Sequence, residues 1–307
     1  MSVLPTAKNH ALIRTATGNA SLLEVPIPAL KEGYILVQIS AIALNPTDWT
    51  TLDAKGDNGT IVGCDYAGTV VAVHPSVSKR WAPGDRIAGF SHGGNDKDPE
   101  YGAFARYVLV KGDVQMRVPE GVGFEEASAV GVGVATTGFA LYDILGLKWP
   151  EEKKVEGEKW HDPDVGSKIR TATNNTLSSI FDTVSVEQSR DICDEAMGTA
   201  GGIYCNLLGI DSKREDVRSE FFLGYQISGE DYIFEGDAYE GQPEKFEFGK
   251  RWMAEAEKLW AEGKWKNHPI SLREGGLLGA LEGLQCMREG KYSGEKLVYR
   301  VDDTEWP

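Results

Sequence analysis

Short apolar runs separated by turn residues dominate the first 120 positions of the chain. The runs are rich in Val, Ile, Leu and Tyr; they are ALIRT, SLLEVPI, YILVQISAIAL, IVGCDYAGTVVAVH, RIAGF, FARYVLV and VQMRV. Many short strands at this spacing are typical of a small antiparallel barrel. The stretch 91–101, SHGGNDKDPEY, is polar and rich in glycine. It predicts a surface loop that could fold over a cleft.

The period of the pattern changes at Phe124. Residues 124–145 place apolar or small side chains at most positions, which predicts a helix buried on much of its surface. Gly131 and Gly133 have the spacing of the first two glycines of the dinucleotide-binding fingerprint. That fingerprint follows a strand and has a third glycine, whereas here position 136 is Thr within a helical run. We interpret these glycines as packing positions.

The stretch 149–161, WPEEKKVEGEKWH, interrupts the apolar pattern. Seven of its thirteen residues are charged, and Val155 is its one aliphatic residue. It therefore supplies neither a buried parallel strand nor the apolar stripe of a packed helix. We predict a solvated connector.

Helix and strand patterns alternate after this connector. The predicted elements are a helix over 164–174, a strand over 179–184, a helix over 187–197, a strand over 202–208, a third strand over 221–227, helices over 244–263 and 276–288, and a closing strand over 296–301. The alternation between 164 and 227 indicates an α/β unit with a parallel sheet.

Composition and charge narrow the functional classes. A chain of 307 residues with 41% apolar residues has the length of two domains and the composition of a globular protein. The formal charge of −15 argues against nucleic acid or an anionic membrane as a partner, because both require a basic face. The N-terminus lacks the apolar core of a signal peptide, and no run of about eighteen apolar residues occurs. We therefore expect a cytoplasmic protein.

The four cysteines predict neither a disulfide framework nor a structural zinc site. They are far apart and form no Cys-x-x-Cys pair; they are Cys64, Cys193, Cys205 and Cys286. A reducing compartment fits this pattern.

Seven short segments carry a resemblance to a known family. They are LNPTDW (44–49), GCDYAG (63–68), PGDR (83–86), GAFA (102–105), GVATTG (133–138), AGG (200–202) and GEKLV (294–298). In this order they resemble the medium-chain dehydrogenase/reductase superfamily, and within it the zinc-free fungal enoyl reductases that act in trans on polyketide synthases. The resemblance implies α/β plus β architecture. A GroES-like barrel over 1–122, to which 266–307 return, would be joined to a truncated Rossmann-like domain over 123–265.

The sequence departs from this family in the region that should bind the cofactor. One βαβ unit takes about 30 residues, whereas the connector 149–161, between the predicted helix over 124–145 and the segment that begins at 162, has thirteen. No G-x-G-x-x-G loop occurs, so the backbone amides that would hold a pyrophosphate have no candidate. Where the family carries a lysine, position 50 is Thr. We therefore expect no NADPH or NADH, and the resemblance implies no catalytic zinc.

Three functions stay open at this point. The first is a cofactor-free enzyme that steers a cyclisation, such as a Diels–Alder-type closure, or a double-bond isomerisation of a polyketide-like substrate. The second is an NADPH-dependent trans-enoyl reductase. The third is a catalytically inactive protein that docks a polyketide synthase. We favour the first, because both the cofactor loop and the lysine are missing.

Candidate site residues follow partly from the resemblance. Asp48, Trp49, Thr50 and Thr136 occupy positions that face the cleft in the resembled family. Asp48 also has the position of a helix cap, and a helical Thr often bonds to its own backbone. His92 and Tyr101, in the polar loop, are candidates for acid–base groups; they were chosen from residue type alone.

A shortened sheet would leave one strand edge without a partner. The strand over 179–184 or its neighbour over 202–208 would then expose unpaired N–H and C=O groups. Either the segment 149–161 covers this edge, using Trp149, Val155 and Trp160, or a second copy docks there as a homodimer. We expect the homodimer.

Overall fold

The computed structural model describes residues 8–149 and 164–307. The strands are β1 (Asn9–Ala16), β2 (Asn19–Val25), β3 (Tyr34–Ala43), β4 (Asp65–Val73), β5 (Arg86–Phe90), β6 (Tyr107–Lys111), β7 (Met116–Arg117), β8 (Ser179–Asp182), β9 (Gly202–Asn206), β10 (Val217–Phe221), β11 (Tyr232–Phe234), β12 (Asp237–Tyr239), β13 (Ile270–Arg273) and β14 (Lys296–Arg300). The α-helices are α1 (Pro46–Asp53), α2 (Phe124–Ala127), α3 (Gly131–Gly138), α4 (Val165–Ala172), α5 (Glu187–Ala196), α6 (Pro243–Ala261) and α7 (Gly276–Arg288). A π-helical turn, Phe139–Ile144, continues α3.

The chain divides into two compact units. The first consists of residues 1–135 and 225–307, and the second of residues 136–224. The predicted domains place their boundaries at 122 and 265 instead. Helix α6 belongs to the first unit because Glu257 on α6 accepts hydrogen bonds from the Lys79 side chain and the Arg117 backbone N–H, each at 2.6 Å. The assignment of functional domains stays a prediction.

Strand β3 is the centre of the first unit's main sheet. It pairs antiparallel with β4, β6 and β14, while β13 pairs parallel with β14 at one end of the sheet. Eight of the ten residues of β3 are buried, all but Gln38 and Ser40. Ile35, Leu36 and Val37 are consecutive and fully buried, whereas a half-exposed strand would alternate buried and exposed side chains. Both faces of β3 therefore pack against protein.

The predicted barrel does not close. Within residues 8–149 and 164–307 the order of the sheet is β13-β14-β3-β4-β5-β7, with β6 beside β3, and its two end strands do not pair with each other. Strands β1 and β2 form a separate hairpin. Single bridges, Ala11 with Ala105 and Ile13 with Ile61, connect β1 to other segments. The seven strands of the first 120 residues were predicted correctly in number and order, whereas β13 was not predicted. Closure depends on long-range pairing that the local pattern does not specify.

The predicted apolar helix from 124 to 145 is confirmed as α2, α3 and the π-helical turn. Residues 124–144 are long and apolar enough to cross a membrane by length and composition, with a hydropathy of 1.3. Half of this stretch is buried within the protein. A Cβ at Gly131 would overlap the carbonyl group of Gly89 on β5, and the Trp252 indole N–H donates to Val134 O at 2.8 Å. These contacts are those of a core helix.

The second unit contains a three-stranded parallel sheet in the order β10-β9-β8. Strand β9 lies between the other two, so Ile203 is not at an open edge, contrary to one version of our prediction. Among the described residues β8 pairs with β9 alone, which leaves Ile180 on an edge strand. The third strand runs over Val217–Phe221, so the predicted strand over 221–227 was wrong.

The predicted connector falls almost wholly outside the described residues. Trp149 is described, and its ring stacks on Tyr142 with centroids 5.4 Å apart. Positions 150–161, which include Val155 and Trp160, lie outside the described residues. The predicted cover of the sheet edge by this segment therefore also lies outside them. The homodimer stays a prediction.

Candidate functional site

Helix α1 positions a buried carboxylate in the first unit. It begins after Asn45, with Pro46 at its first position, where a proline needs no N–H partner. Asp48 Oδ2 accepts the Asn45 backbone N–H at 2.7 Å. Asp48 is 3% exposed. Burial raises the pKa of this carboxyl to about 7, against the opposing effect of the Asn45 hydrogen bond. Asp48 thus caps its helix and also titrates near neutrality.

A second buried carboxylate, Asp65, joins three segments of the chain. Its Oδ2 lies 2.7 Å from the Lys296 ammonium on β14, and its Oδ1 accepts the Val132 N–H of α3 at 2.7 Å. The same ammonium donates to Asn45 Oδ1 at 2.6 Å. Asp65 is fully buried. A charge in this position requires its counter-ion, so this cluster is part of the architecture of the site.

Tyr225 connects the α1 segment with Cys64, the residue that precedes β4. Its hydroxyl lies 2.8 Å from Thr47 Oγ1 and 3.5 Å from Cys64 Sγ. Burial is the main cause that raises the pKa values of both Tyr225 and Cys64 well above their usual range. Cys64 is therefore a neutral thiol, poorly suited to nucleophilic attack. Sequence reasoning missed Tyr225, since the apolar stretch around it carries no motif.

The first half of the loop over 91–101 is packed rather than solvated, whereas Lys97, Pro99 and Glu100 are exposed. Asn95 is 2% exposed, and Gly93 approaches the backbone of Gly63 so closely that a Cβ at this position would overlap it. The glycines that suggested flexibility instead allow the loop to pack. His92 stacks on Tyr225 with ring centroids 3.6 Å apart and an interplanar angle of 8°. Burial lowers the pKa of His92 to about 3, so its imidazole is neutral at physiological pH.

His92 and Tyr101 line the same pocket in the first unit, together with Tyr225. The structure thus brings together the two loop residues predicted as acid–base groups. The neutral state of His92 argues against a role as a proton donor. Whether either residue is catalytic stays a prediction.

The structure shows local contacts for the other candidate residues. Trp49 is half-buried against the main core of the first unit. The Thr50 hydroxyl donates to Thr47 O at 3.3 Å, which is the backbone bond expected of a helical threonine. Thr136 is half-buried in the second unit. These contacts fit structural roles, and the proposed cleft role of all three stays a prediction.

The described residues contain no group of three or more His, Cys, Asp or Glu side chains placed to hold a metal ion. The absence of catalytic zinc nevertheless stays a prediction.

Comparison with known proteins identifies the family. A model described as the alcohol dehydrogenase GroES-like domain matches residues 31–120. "Trans-enoyl reductase ACTTS2" from Alternaria alternata is 35% identical, and the alignment covers 95% of this chain and 99% of the relative. The chain belongs to the trans-enoyl reductase family. "Trans-enoyl reductase resD" from Aspergillus sclerotiorum is 33% identical over 95% of this chain and 100% of its own length. The resemblance found in the sequence is confirmed.

Solved structures confirm the fold class of this trans-enoyl reductase family member. The CurK enoyl reductase superposes with a TM-score of 0.69 at 14% identity, covering 96% of this chain and 99% of its own. A protein described as an NADPH:quinone reductase from Bacillus thuringiensis gives a TM-score of 0.72 at 11% identity, with coverage of 96% and 99%. A GroES-like domain is thus combined with a Rossmann-like sheet and helices.

The prediction that the protein uses no cofactor is wrong. Its family consists of proteins named as enoyl reductases, and a structural neighbour is named for NADPH. The prediction relied on the short connector, the missing glycine-rich loop and Thr50, and gave too little weight to the family as a whole.

Neither of two turns in the second unit fits the pyrophosphate of a dinucleotide. After β8, Asp182 Oδ1 accepts the N–H groups of Val184 and Ser185, each at 2.9 Å. After β9, Asn206 Oδ1 accepts the Gly209 N–H at 2.7 Å and those of its two neighbours at 3.2 Å. Because side-chain oxygens already occupy these amides, and one of them is a carboxylate, neither turn offers a phosphate cradle.

Proposed function

We propose that this protein is a trans-acting enoyl reductase of fungal polyketide biosynthesis. It would reduce the carbon–carbon double bond of an α,β-unsaturated acyl thioester presented by a polyketide synthase, with NADPH as the reductant. The observation that carries this proposal is the 35% identity that extends over 95% of the chain and 99% of the Alternaria relative. A match of this extent includes both units rather than the GroES-like domain alone.

The first unit supplies surroundings that suit such a substrate. A polyketide acyl chain is largely apolar, and the pocket described above has aromatic walls that include Tyr34, Phe90 and Tyr225. These rings exclude water and offer flat contact surfaces to an unsaturated chain. The buried Tyr225 hydroxyl keeps its proton at neutral pH, so this wall of the pocket carries no charge from the phenol.

The comparisons favour the reductase over the cyclisation or isomerisation that the sequence first suggested. The full-length relatives named above are reductases, and neither is named as a cyclase or isomerase. Docking to a polyketide synthase belongs to this proposal, because a reductase that acts in trans must reach an acyl chain held on another protein.

The test is an assay with NADPH and a crotonyl thioester of N-acetylcysteamine. We expect loss of NADPH absorbance together with the butyryl product detected by mass spectrometry. The butyryl thioester, which has no double bond to reduce, serves as the control substrate. The Alternaria relative is assayed in parallel, so that an unsuitable thioester is recognised by its failure with both proteins.

Binding of NADPH is measured separately by thermal or chemical unfolding. A ligand at one hundred times its dissociation constant stabilises the folded state by about 2.7 kcal/mol. If the Alternaria relative consumes NADPH while this protein shows neither stabilisation nor turnover, the proposed reductase function is incorrect and an inactive docking protein remains.

A further inference from the structure

The aromatic pocket of the first unit has features of a binding site beyond its apolar walls. Its cavity measures about 50 Å³. Since an enclosed water needs roughly 10–15 Å³ of such space, the pocket accommodates about four groups of that size. This volume suits a small molecule or the end of a chain, and not a whole polyketide.

Two polar atoms in the pocket wall lack partners. The Tyr101 hydroxyl and His92 Nε2 are buried and have no hydrogen-bond partner within the described parts of the chain. Tyr101 as a whole is 5% exposed. Two other tyrosines of the wall are satisfied: Tyr34 donates to Glu230, and the Tyr225 hydroxyl is within hydrogen-bond distance of Thr47. An unsatisfied buried hydroxyl is costly, so Tyr101 and His92 call for a ligand that can hydrogen-bond.

The charges around the pocket favour a neutral ligand. Lys111 and Glu230 form an ion pair in the wall, and Asp231 is paired with Lys97. The Lys31 ammonium lies 4.3 Å from the ring centroid of Tyr34 and 4.4 Å from that of Tyr101. An anion would meet the carboxylates of Glu230 and Asp231, and a cation would meet the Lys111 ammonium. Either would also lose its hydration without gaining an unpaired counter-ion.

We propose that this pocket binds a small, neutral, oxygen-bearing group, a ketone or an alcohol, carried on an apolar ring or chain end. Tyr101 donates a hydrogen bond to the ligand oxygen. His92 Nε2 donates or accepts according to its tautomer, which a ketone oxygen or a hydroxyl group satisfies. The aromatic rings contact the hydrocarbon part. If the proposed function holds, the occupant is the distal, oxygenated end of the acyl chain; this last step rests on the proposed function, whereas the binding chemistry does not.

The experiment compares cyclopentanone with cyclopentane, which has nearly the same shape and no oxygen. Binding to the full-length protein without NADPH is measured by saturation-transfer NMR. We expect cyclopentanone to bind at least about fivefold more tightly, corresponding to one hydrogen bond. Cyclopentanecarboxylate and cyclopentylamine, which add a charge of either sign, should bind more weakly than the ketone.

Two variants locate the contact. Tyr101→Phe removes one hydroxyl, and we expect it to weaken cyclopentanone binding about fivefold while cyclopentane binding stays unchanged. His92→Phe keeps an aromatic ring against Tyr225 and should have a similar effect. The matched control is Tyr107→Phe, which alters a buried tyrosine that does not line the pocket.

Three results would overturn the inference. One is equal affinity for cyclopentanone and cyclopentane in the unmodified protein, which does not depend on any variant folding. Another is a Tyr101→Phe protein that keeps full affinity for the ketone. The third is tighter binding of either charged analogue. An inactive reductase that still binds cyclopentanone through Tyr101 refutes the proposed function and leaves the binding chemistry intact.

Discussion

The imidazole of His92 lies flat on the ring of Tyr225, with centroids 3.6 Å apart. The stack fixes the tyrosine ring while its hydroxyl meets Thr47. Stacked aromatic pairs contribute about 0.5–1.5 kcal/mol beyond their buried area. A neutral imidazole suits this position, because a charged ring would have to be desolvated against an apolar surface.

The pKa of His92 predicts how stability depends on pH. It is about 3 in the folded protein and 6.5 in an unconstrained histidine, so the unfolded chain binds the proton first as the pH falls. The stabilisation is complete above pH 6.5 and declines as the pH falls towards 3. Between pH 7 and pH 5 we expect the free energy of unfolding to fall by about 1 kcal/mol more in the wild type than in His92→Phe. This value is reduced for the partial exposure of the ring.

Urea unfolding at a series of pH values measures this effect. His268→Phe, at an exposed histidine, is the control and should leave the pH profile unchanged. A profile that is equally steep in the wild type and in His92→Phe would show that another group causes the acid sensitivity.

Asp48 has the opposite dependence. Its pKa is raised from 3.8 to about 7, so the folded protein holds the proton that the unfolded chain releases, and stability declines as the pH rises from 3.8 to 7. We expect Asp48→Asn to increase the free energy of unfolding at pH 8 by on the order of 2 kcal/mol, with little gain at pH 4. The amide oxygen can still accept the Asn45 N–H.

The control for Asp48 is Asp57→Asn, at an exposed position near the end of the same segment. It should change stability by less than about 0.5 kcal/mol. Loss of stability in Asp48→Asn at pH 8 would contradict the raised pKa.

Removal of the Lys296 ammonium should leave a buried carboxylate without its counter-ion. Lys296→Met leaves the fully buried Asp65 carboxylate without its cation, and we expect a loss of about 3–5 kcal/mol in the free energy of unfolding. Lys8→Met, in an ion pair whose side chains are 69% and 53% exposed, is the control and should cost less than about 1 kcal/mol. The double variant Lys296→Met/Asp65→Asn should recover part of the loss; equal losses in the single and double variants would contradict this account.

Two glycines of α3 provide a matched pair for packing. A Cβ at Gly131 would overlap the Gly89 carbonyl, whereas a Cβ at Gly133 would lie 3.8 Å from His268 Nε2, an ordinary van der Waals distance. We expect Gly131→Ala to destabilise the protein by at least about 2 kcal/mol, in the range of overpacked cores. Gly133→Ala should be neutral or stabilise by about 0.5–1 kcal/mol through helix propensity. Thermal unfolding of both variants measures these changes in stability. Similar changes in the two variants would mean that α3 does not approach β5.

The sequence predicted elements where the pattern of side chains is local. Helix α7 was predicted at its observed bounds, because its apolar period ends at a glycine on each side. Strand β10 was missed, since its sequence VRSEF is polar at its centre and the more apolar residues after it attracted the prediction. Alternation marks a half-exposed strand only weakly when the strand is at an edge.

The candidate site was predictable only in part. His92 and Tyr101 were chosen from residue type, and the structure places them in one pocket. Tyr225 lies 161 residues after Cys64 along the chain, so no local spacing connects the two. The loop over 91–101 was misjudged because glycine permits close packing as readily as it permits exposure.

The place of β14 beside β3 has a consequence for biosynthesis. The first unit is made from both ends of the chain, whereas the second is continuous from 136 to 224. Until Lys296 has left the ribosome, β3 of the nascent chain lacks its neighbour β14 and Asp65 lacks its cation. The continuous unit can form first, while the discontinuous one waits for the synthesis of β14. During that interval the open edge of β3 is a natural substrate for chaperones.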